Sequence, residues 1–130
     1  MNELNTVHTD AAPKAVGPYS QAMVHDGLVY LSGQIGLDPA TGKLVGGEMA
    51  VQAQQVMRNL TAVLEAVGAT RSDIIKVNIY LTDMDDFQAL NGLYAEWLDG
   101  HRPARATVAV AALPLGARVE MDVIARVPEA

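Results

Sequence analysis

EMAVQAQQVMRNLTAVLEAVGATRSDIIKVNIYLT, residues 48–82, joins an amphipathic segment to an alternating one. From Glu48 to Val67, apolar residues recur every three or four positions: Ala53, Val56, Met57, Leu60, Val63, Leu64 and Val67. This spacing predicts an α-helix with one apolar face, and Gly68 is typical of a helix end. Ile74 to Thr82 alternates instead, which predicts a strand with four apolar residues on one face: Ile75, Val77, Ile79 and Leu81.

The segment before this helix predicts a β-hairpin. Two apolar-rich runs, Tyr19–Val24 and Leu28–Ser32, flank the tripeptide His25-Asp26-Gly27. Asp-Gly between two such runs is a strong hairpin signal. The first 18 residues, with prolines at positions 13 and 18, are predicted to be irregular.

The segment after the strand predicts a second helix and two more strands. Asp83 can cap a helix over about residues 84–98, with an apolar face made of Phe87, Leu90, Tyr94, Trp97 and Leu98. Strands are predicted at Arg105–Ala111 and Val119–Val127. The element order is therefore hairpin, helix, strand, helix and two strands, which predicts an α+β fold with two helices packed on one face of a sheet.

The other face of this sheet has no helix left to cover it. Strand positions on both faces are nevertheless apolar or small, as in Ala106, Val108 and Val110 on one side and Thr107, Ala109 and Ala111 on the other. An uncovered sheet face of this kind predicts burial against another subunit, and therefore a homo-oligomer.

Composition excludes several classes of protein. The 130 residues suit one domain, residues 1–130, and 50% hydrophobic content excludes a disordered chain. A net charge of -6 and a pI of about 4.8 disfavour nucleic-acid binding. Cysteine is absent, which excludes disulfides and thiol catalysis.

No membrane-spanning segment or export signal is recognised, so a cytoplasmic location is expected. The carboxylates of Asp83, Asp85 and Asp86 are explained by helix capping, and no metal site is predicted.

Two charged residues on the last strands are candidates for chemistry. Arg105 begins an otherwise uncharged strand, so it is either a surface or ion-paired arginine or a fork that binds a small carboxylate through two hydrogen bonds. Glu120 lies in an alternating strand and is either a solvated carboxylate or a site residue. If their two strands pair, Arg105 and Glu120 could share a sheet face, although the register is not fixed by sequence.

Four further positions have both a structural and a functional interpretation. Tyr19 follows the stiff Gly17-Pro18 turn and either packs or donates to a substrate. Ser32 and Gly33 interrupt a strand, as a bulge or as a place where a ligand approaches the backbone. Asn91 lies among the apolar residues of the second helix, so it either satisfies a buried backbone group or faces a pocket.

These pieces together resemble the RidA family of reactive-intermediate deaminases over about residues 12–127. The resemblance rests on ordered fragments whose combined spacing is specific: GPYSQA (17–22), SGQI (32–35), PARATV (103–108), LP (113–114), GA (116–117) and VEM (119–121). It implies a chorismate-mutase-like α+β fold, assembled as a homotrimer with clefts between subunits. It also implies hydrolysis of 2-imino or 2-enamino acids to 2-oxo acids and ammonia, with no cofactor and no metal.

The resemblance also implies roles for individual residues. Arg105 would hold the substrate carboxylate, Glu120 would position and activate water, and Tyr19 would line the cleft. Residues that would contact or line the substrate are Ser32, Gly33, Asn91 and Thr107. Thr107 stands where close relatives often carry cysteine. If this residue acts through its backbone carbonyl, threonine can serve, whereas a role for the thiol would count against the activity.

The loop before Pro103 is a second departure from the family. Residues 99–102 (DGHR) form a shorter link than usual at the border of the cleft, so a different substrate size preference is expected. Arg102 in this link either adds a second cation near Arg105 or is simply a solvated surface residue.

Two other functions compete with the deaminase. A non-catalytic module could use the same cleft to bind or sense 2-oxo acids; Arg105 suits both hypotheses, whereas Glu120 and Tyr19 favour the enzyme. A ribonuclease or translation inhibitor, a description sometimes attached to this family, is disfavoured by the acidic pI and by the absence of a basic, aromatic stripe.

Overall fold

A computed structural model describes residues 3–129, which form a six-stranded sheet and two α-helices. In chain order the elements are β1 (Asn5–Val7), β2 (Ala22–His25), β3 (Leu28–Gln34), α1 (Met49–Ala66), β4 (Ile74–Leu81), α2 (Phe87–Leu98), β5 (Ala104–Ala109) and β6 (Val119–Arg126). The strand order is β1-β2-β3-β6-β4-β5. Among the strands of residues 3–129, β4 and β5 are the only parallel pair. The α+β fold with one mixed sheet and two helices is therefore confirmed.

Local sequence signals explain how several elements begin and end. Asp26 and Gly27 both have positive φ, as a type I′ turn requires, and they join β2 to β3 in the predicted hairpin. Gly68, with φ of +74°, follows the end of α1. The side chain of Asp83 accepts a hydrogen bond from the backbone N–H of Asp85, in a single 3-10 turn that precedes α2.

One hydrophobic core lies between the helices and one face of the sheet. Its fully buried members come from both helices and from three strands, and include Val29, Val56, Leu60, Leu64, Val77, Ile79, Leu81, Leu90, Val119 and Met121. This core fixes which strand residues face the helices and which face away. The position of every site residue on β5 and β6 follows from it.

Two expectations about local structure were wrong. The first 18 residues are not wholly irregular, because residues 5–7 form β1 and pair with β2 through backbone hydrogen bonds that the side-chain pattern does not reveal. Ile75 does not share a face with Val77, since it is 45% exposed while Ile74 is buried. A register shift between Ile74 and Lys76 reverses the alternation at this end of β4.

The face of the sheet away from the helices carries exposed apolar side chains. Tyr30 on β3 and Val108 on β5 are 42% and 47% exposed. Ile124 on β6 lies directly across from Tyr30 and is half-buried. We call this surface the open face. Among residues 3–129, no helix is long and apolar enough to cross a membrane.

Candidate functional site

Arg105 is held by three side chains of α2. Its Nη1 donates a hydrogen bond to Oδ1 of Asn91 at 2.7 Å. Its guanidinium carbon lies 5.6 Å from the ring centre of Phe87 and 5.0 Å from that of Tyr94, within cation–π range. No carboxylate of residues 3–129 forms an ion pair with Arg105. The guanidinium is therefore oriented by neutral groups and keeps its charge available for an anion.

A cavity of about 580 Å³ opens beside this arginine. It is lined by Asn91, Tyr94, Ala95, Gly100, His101, Arg102, Pro103 and Arg105. We call it the arginine cavity. Its position follows from α2 and from the loop that leads into β5. The hydroxyl of Tyr94 is buried without a hydrogen-bond partner in the described chain, and burial raises the pKa of this hydroxyl, so it stays a donor at neutral pH.

Glu120 lies in a second cavity of about 270 Å³. Its lining comes from the N-terminal loop, the end of β3 and the turn before β6: Pro13, Lys14, Val16, Tyr19, Gln21, Gly33, Gln34, Ile35, Leu37, Pro114, Leu115 and Glu120. We call it the glutamate cavity. Gly33 lies directly against Glu120, because a Cβ added to Gly33 would lie 2.9 Å from the carboxyl carbon. Any side chain at position 33 would displace the carboxyl group of Glu120, so this arrangement requires a glycine there.

Burial and a neighbouring charge both favour the protonated form of Glu120. Burial is the larger effect and the negative charge of Asp122 is the smaller one, and together they raise the pKa of Glu120. Asp122 is itself fixed on the open face, where its carboxylate accepts hydrogen bonds from Asn78 Nδ2 at 2.9 Å and from the hydroxyl of Tyr80 at 2.8 Å. A carboxylate with a raised pKa is a stronger base than an ordinary glutamate, which suits proton transfer near neutral pH.

Arg105 and Glu120 do not share a face of the sheet. The strands that carry them are separated by β4, so the pairing considered from sequence does not occur. Arg105 lies beside Val77, whose side chain faces the core and the helices, whereas Glu120 lies beside Tyr80. Val77 and Tyr80 are three residues apart and face opposite sides. Within one chain, the sheet therefore separates the arginine cavity from the glutamate cavity.

The other predicted site residues divide between these two groups. Tyr19 and Gly33 line the glutamate cavity with Glu120, and Asn91 lies with Arg105. Thr107 is on the same strand face as Arg105, two residues along, and its buried hydroxyl has no hydrogen-bond partner within residues 3–129. Ser32 is not among the residues that line either cavity; its hydroxyl donates to the carbonyl of Ser20 at 2.6 Å, which ties the loop carrying Tyr19 to β3.

Sequence reasoning missed the aromatic support of Arg105. Phe87 and Tyr94 were expected only as core residues, although with Asn91 they follow a four- and three-residue spacing on one side of α2. That spacing was the available signal.

A third, larger groove of about 710 Å³ runs between α1 and α2, past Arg58 and Trp97, and contains none of the predicted site residues.

Comparisons with known proteins match nearly the whole chain. The family model described as Endoribonuclease L-PSP matches residues 9–127. A protein named DfrA from Myxococcus xanthus is 51% identical over 121 residues, covering 92% of both chains. The 2-iminobutanoate/2-iminopropanoate deaminase of Mus musculus is 45% identical, covering 92% of this chain and 88% of the mouse protein.

Solved structures agree with the sequence comparison. The crystal structure of RidA from an Antarctic Psychrobacter species is 47% identical, with a TM-score of 0.90, and covers 94% of this chain and 98% of that chain. Yeast Mmf1 is 41% identical, with a TM-score of 0.93 over 97% of this chain and all of that chain. The chain therefore belongs to the endoribonuclease L-PSP family, which confirms the RidA resemblance of its motifs.

Proposed function

We propose that the protein is a 2-imino acid deaminase that hydrolyses reactive imines or enamines to 2-oxo acids and ammonia. Its relatives named 2-iminobutanoate/2-iminopropanoate deaminase support this reaction. We further propose that it acts as a homotrimer whose clefts each combine the arginine cavity of one copy with the glutamate cavity of its neighbour. Arg105 would then bind the substrate carboxylate, and Glu120 would act on water.

The observation that carries the proposal is the separation of Arg105 from Glu120 by the sheet of a single chain. Each of these residues lies at an open cavity. The glutamate cavity is rimmed by apolar side chains that a monomer leaves in water, since Val16, Tyr19 and Leu115 are 82%, 51% and 70% exposed. A second copy whose arginine cavity faces this rim would cover these side chains and bring its Arg105 to Glu120.

The mechanism requires orientation more than strong activation. A protonated imine is already electrophilic at C2, and a bidentate pair between its carboxylate and Arg105 would fix that carbon in the cleft. Glu120 would hold a water and accept one of its protons as the oxygen bonds to C2. The same proton would pass to the amino nitrogen of the tetrahedral adduct. Glu120, deprotonated again by this transfer, would take the proton of the C2 hydroxyl as the C–N bond breaks. Ammonia leaves, the 2-oxo acid remains, and Glu120 would pass its proton to the departing ammonia or to solvent.

The neutral residues would support the two charged ones. Asn91, Phe87 and Tyr94 hold the guanidinium of Arg105 in place without neutralising it. Gly33 leaves space for the carboxylate of Glu120 and would present its backbone to the substrate. The hydroxyls of Tyr19 and Thr107 would supply further contacts to the substrate in the shared cleft.

A competing function uses the same cleft without chemistry. Arg105 and Asn91 would bind a 2-oxo acid equally well in a sensor or regulatory module. The two functions differ at Glu120, whose side chain lies in the glutamate cavity and can act as a base toward water, whereas binding of a 2-oxo acid requires no base beside the anion. For this reason we favour the enzyme.

An imine-lifetime assay tests the proposed function. An amino-acid oxidase would release an imine in the presence of semicarbazide, which traps the imine as a semicarbazone, and the initial rate of semicarbazone formation is followed by its ultraviolet absorbance. The protein is expected to lower semicarbazone formation, and Arg105→Ala is expected to abolish this effect. An unchanged rate of semicarbazone formation, together with tight binding of a 2-oxo acid, would favour the non-catalytic module. Full activity in Arg105→Ala would contradict the role of the arginine.

A further inference from the structure

We propose that the cleft prefers dicarboxylic substrates and that Arg102 binds their second carboxylate. This inference rests on the proposed function, because it concerns the substrate class of the same site. The first observation is the charge of the arginine cavity. The protein carries a net charge of -6, yet within residues 3–129 the lining of this cavity contains two guanidinium groups and no carboxylate. The glutamate cavity of the neighbouring copy would add one cation, Lys14, and one carboxylate, Glu120, so the shared cleft would keep an excess of positive charge. Such an excess favours a dianion over a monoanion.

Arg102 is held next to Arg105 by an ordered turn. The backbone N–H of His101 donates to the carbonyl of Leu98 at 3.0 Å, and His101 Nε2 lies 2.7 Å from the carbonyl oxygen of Ile74. Pro103 follows and restricts Arg102 to an extended backbone, immediately before β5 begins at Ala104. The backbone of Arg102 is therefore fixed from both sides, and only its side chain is free to adjust to a ligand.

Neither arginine has an anionic partner within residues 3–129. The side chain of Arg102 forms no hydrogen bond or ion pair with any described residue, and Arg105 bonds only to the neutral amide of Asn91. The unpartnered hydroxyl of Tyr94, whose side chain is 8% exposed, lies in the same lining. These groups together provide more donors than a single carboxylate accepts.

The arginine cavity is also larger than a short monocarboxylic acid requires. If each heavy atom is given the roughly 30 Å³ that a whole water molecule occupies in the liquid, a generous value, a six-atom 2-imino acid fills at most about 180 Å³. The cavity of about 580 Å³ accommodates this molecule and a further carboxymethyl group extending toward Arg102. We therefore expect the C1 carboxylate at Arg105 and the distal carboxylate at Arg102.

Calorimetric titration with two stable product analogues of equal length tests this assignment. The intact protein would be titrated with 2-oxoglutarate and with 2-oxopentanoate, which differ only in a terminal carboxylate instead of a methyl group. We expect the dicarboxylate to bind about tenfold more tightly, as a charge-assisted hydrogen bond implies. Arg102→Ala should remove most of this preference, and Arg102→Lys should keep part of it. Arg58→Ala, a control on the exposed side of α1, should retain the full preference.

Each outcome supports or overturns the inference. Equal binding of both acids by the unmodified protein, or an undiminished preference in Arg102→Ala, would overturn it while leaving the imine-lifetime assay free to confirm the deaminase. An equal loss of affinity for the two acids in Arg102→Ala would also overturn it, because the effect of the substitution would not depend on the second carboxylate. Binding of neither acid by the unmodified protein, with no effect on imine lifetime, would remove the proposed function as well.

Discussion

At the scale of single residues, Asp122 connects the open face to the proposed chemistry. Its negative charge adds to burial in raising the pKa of Glu120. If Glu120 must be deprotonated to act on water, activity should fall as the pH drops through this raised pKa. The acid limb of the pH–rate profile should therefore lie above the pH at which an ordinary glutamate titrates.

Replacing Asp122 by asparagine should move this acid limb. Asp122→Asn removes the repelling charge, so the pKa of Glu120 should decrease and activity should persist to lower pH. Burial, the larger cause, remains, and the shift should therefore be partial. The measurement is kcat/KM against pH for both proteins. An acid limb that stays in place in Asp122→Asn would show that Asp122 does not act on the titrating group.

Asn91 is expected to act by positioning Arg105. Asn91→Ala removes the acceptor of the 2.7 Å hydrogen bond, so the guanidinium should become less well oriented for a carboxylate. We expect KM to rise about fivefold, corresponding to about 1 kcal/mol, with a smaller change in kcat. Steady-state kinetics measure the two separately. Asn91→Asp would pair with Arg105 and should weaken substrate binding further, whereas a purely structural role predicts no such difference.

The sequence singled out candidate site residues but not the contacts between them. Arg105 and Asn91 were each predicted as candidates, yet they are 14 residues apart on different elements. Their hydrogen bond depends on how α2 packs beside β5, which no spacing rule provides. Phe87 and Tyr94 were interpreted as core residues because an aromatic ring under a guanidinium follows the same apolar spacing as one in the core.

At the scale of elements, the end of β3 is built around Gly33. The pairing of β3 with β6 shifts register between Leu31 and Gln34, and Gly33 lies inside this bulge against Glu120. A methyl group at Gly33 would come 2.9 Å from the Glu120 carboxyl carbon and 3.3 Å from its Cγ. The side chain of Glu120 would have to move, since these distances are shorter than normal van der Waals contacts.

Gly33→Ala should therefore impair activity more than stability. We expect kcat/KM to fall at least tenfold, because a displaced Glu120 no longer holds water in line with C2. The cost in unfolding free energy should stay within about 1–3 kcal/mol, as for a mildly overpacked site. Gly47→Ala is the matched control, since a Cβ there meets nothing within 4 Å. Equal kinetics in the two variants would contradict the role of Gly33.

The C-terminal end of β6 is fixed by a buried carboxylate. Asp73 is 7% exposed; it accepts hydrogen bonds from the backbone N–H of Thr70 and from Nε and Nη2 of Arg126. These bonds, led by the one from Thr70, lower the pKa of Asp73 below its ordinary value of 3.8. The stabilisation is therefore fully present above this value and is lost as the pH falls through the lowered pKa.

Asp73→Asn should destabilise the protein at neutral pH and lose its effect in acid. We expect a loss of about 1–3 kcal/mol of unfolding free energy near pH 7, the usual effect of removing a buried charged acceptor. The difference between the two proteins should decrease toward low pH, where Asp73 of the unmodified protein becomes protonated. Urea unfolding at pH 7 and in acid measures both values. A difference independent of pH would contradict the assignment.

The same end of β4 shows where alternation fails as a guide. Ile74 and Ile75 are chemically equivalent in the sequence, and the strict alternation of the strand selected Ile75 for the core. The shift between Ile74 and Lys76, set by pairing with β6, buries Ile74 instead. The helices, by contrast, were predicted within one to three residues, because a repeated apolar spacing over many residues averages out such local shifts.

At the scale of the whole molecule, strand order and register decide whether Arg105 and Glu120 can meet within one chain. The sequence pattern predicted β2 to β6 but not β1, and apart from the β2–β3 hairpin it carries no information on which strands are neighbours. β4 lies between the strands of Arg105 and Glu120, and their registers on β4, beside Val77 and Tyr80, place the two side chains on opposite faces, so a shared face within one chain is excluded. The homotrimer remains a proposal, supported by the exposed side chains of Val16, Tyr30, Val108 and Leu115.

Complementation between two inactive variants tests the shared cleft most directly. Arg105→Ala and Glu120→Ala should each be inactive alone in the imine-lifetime assay. When equal amounts are unfolded together and refolded as mixed trimers, about a quarter of the clefts should combine an intact Arg105 from one copy with an intact Glu120 from its neighbour. We predict recovery of about a quarter of the activity of the unmodified protein. Native mass spectrometry would verify that mixed trimers form, and mixed trimers without activity would contradict the account.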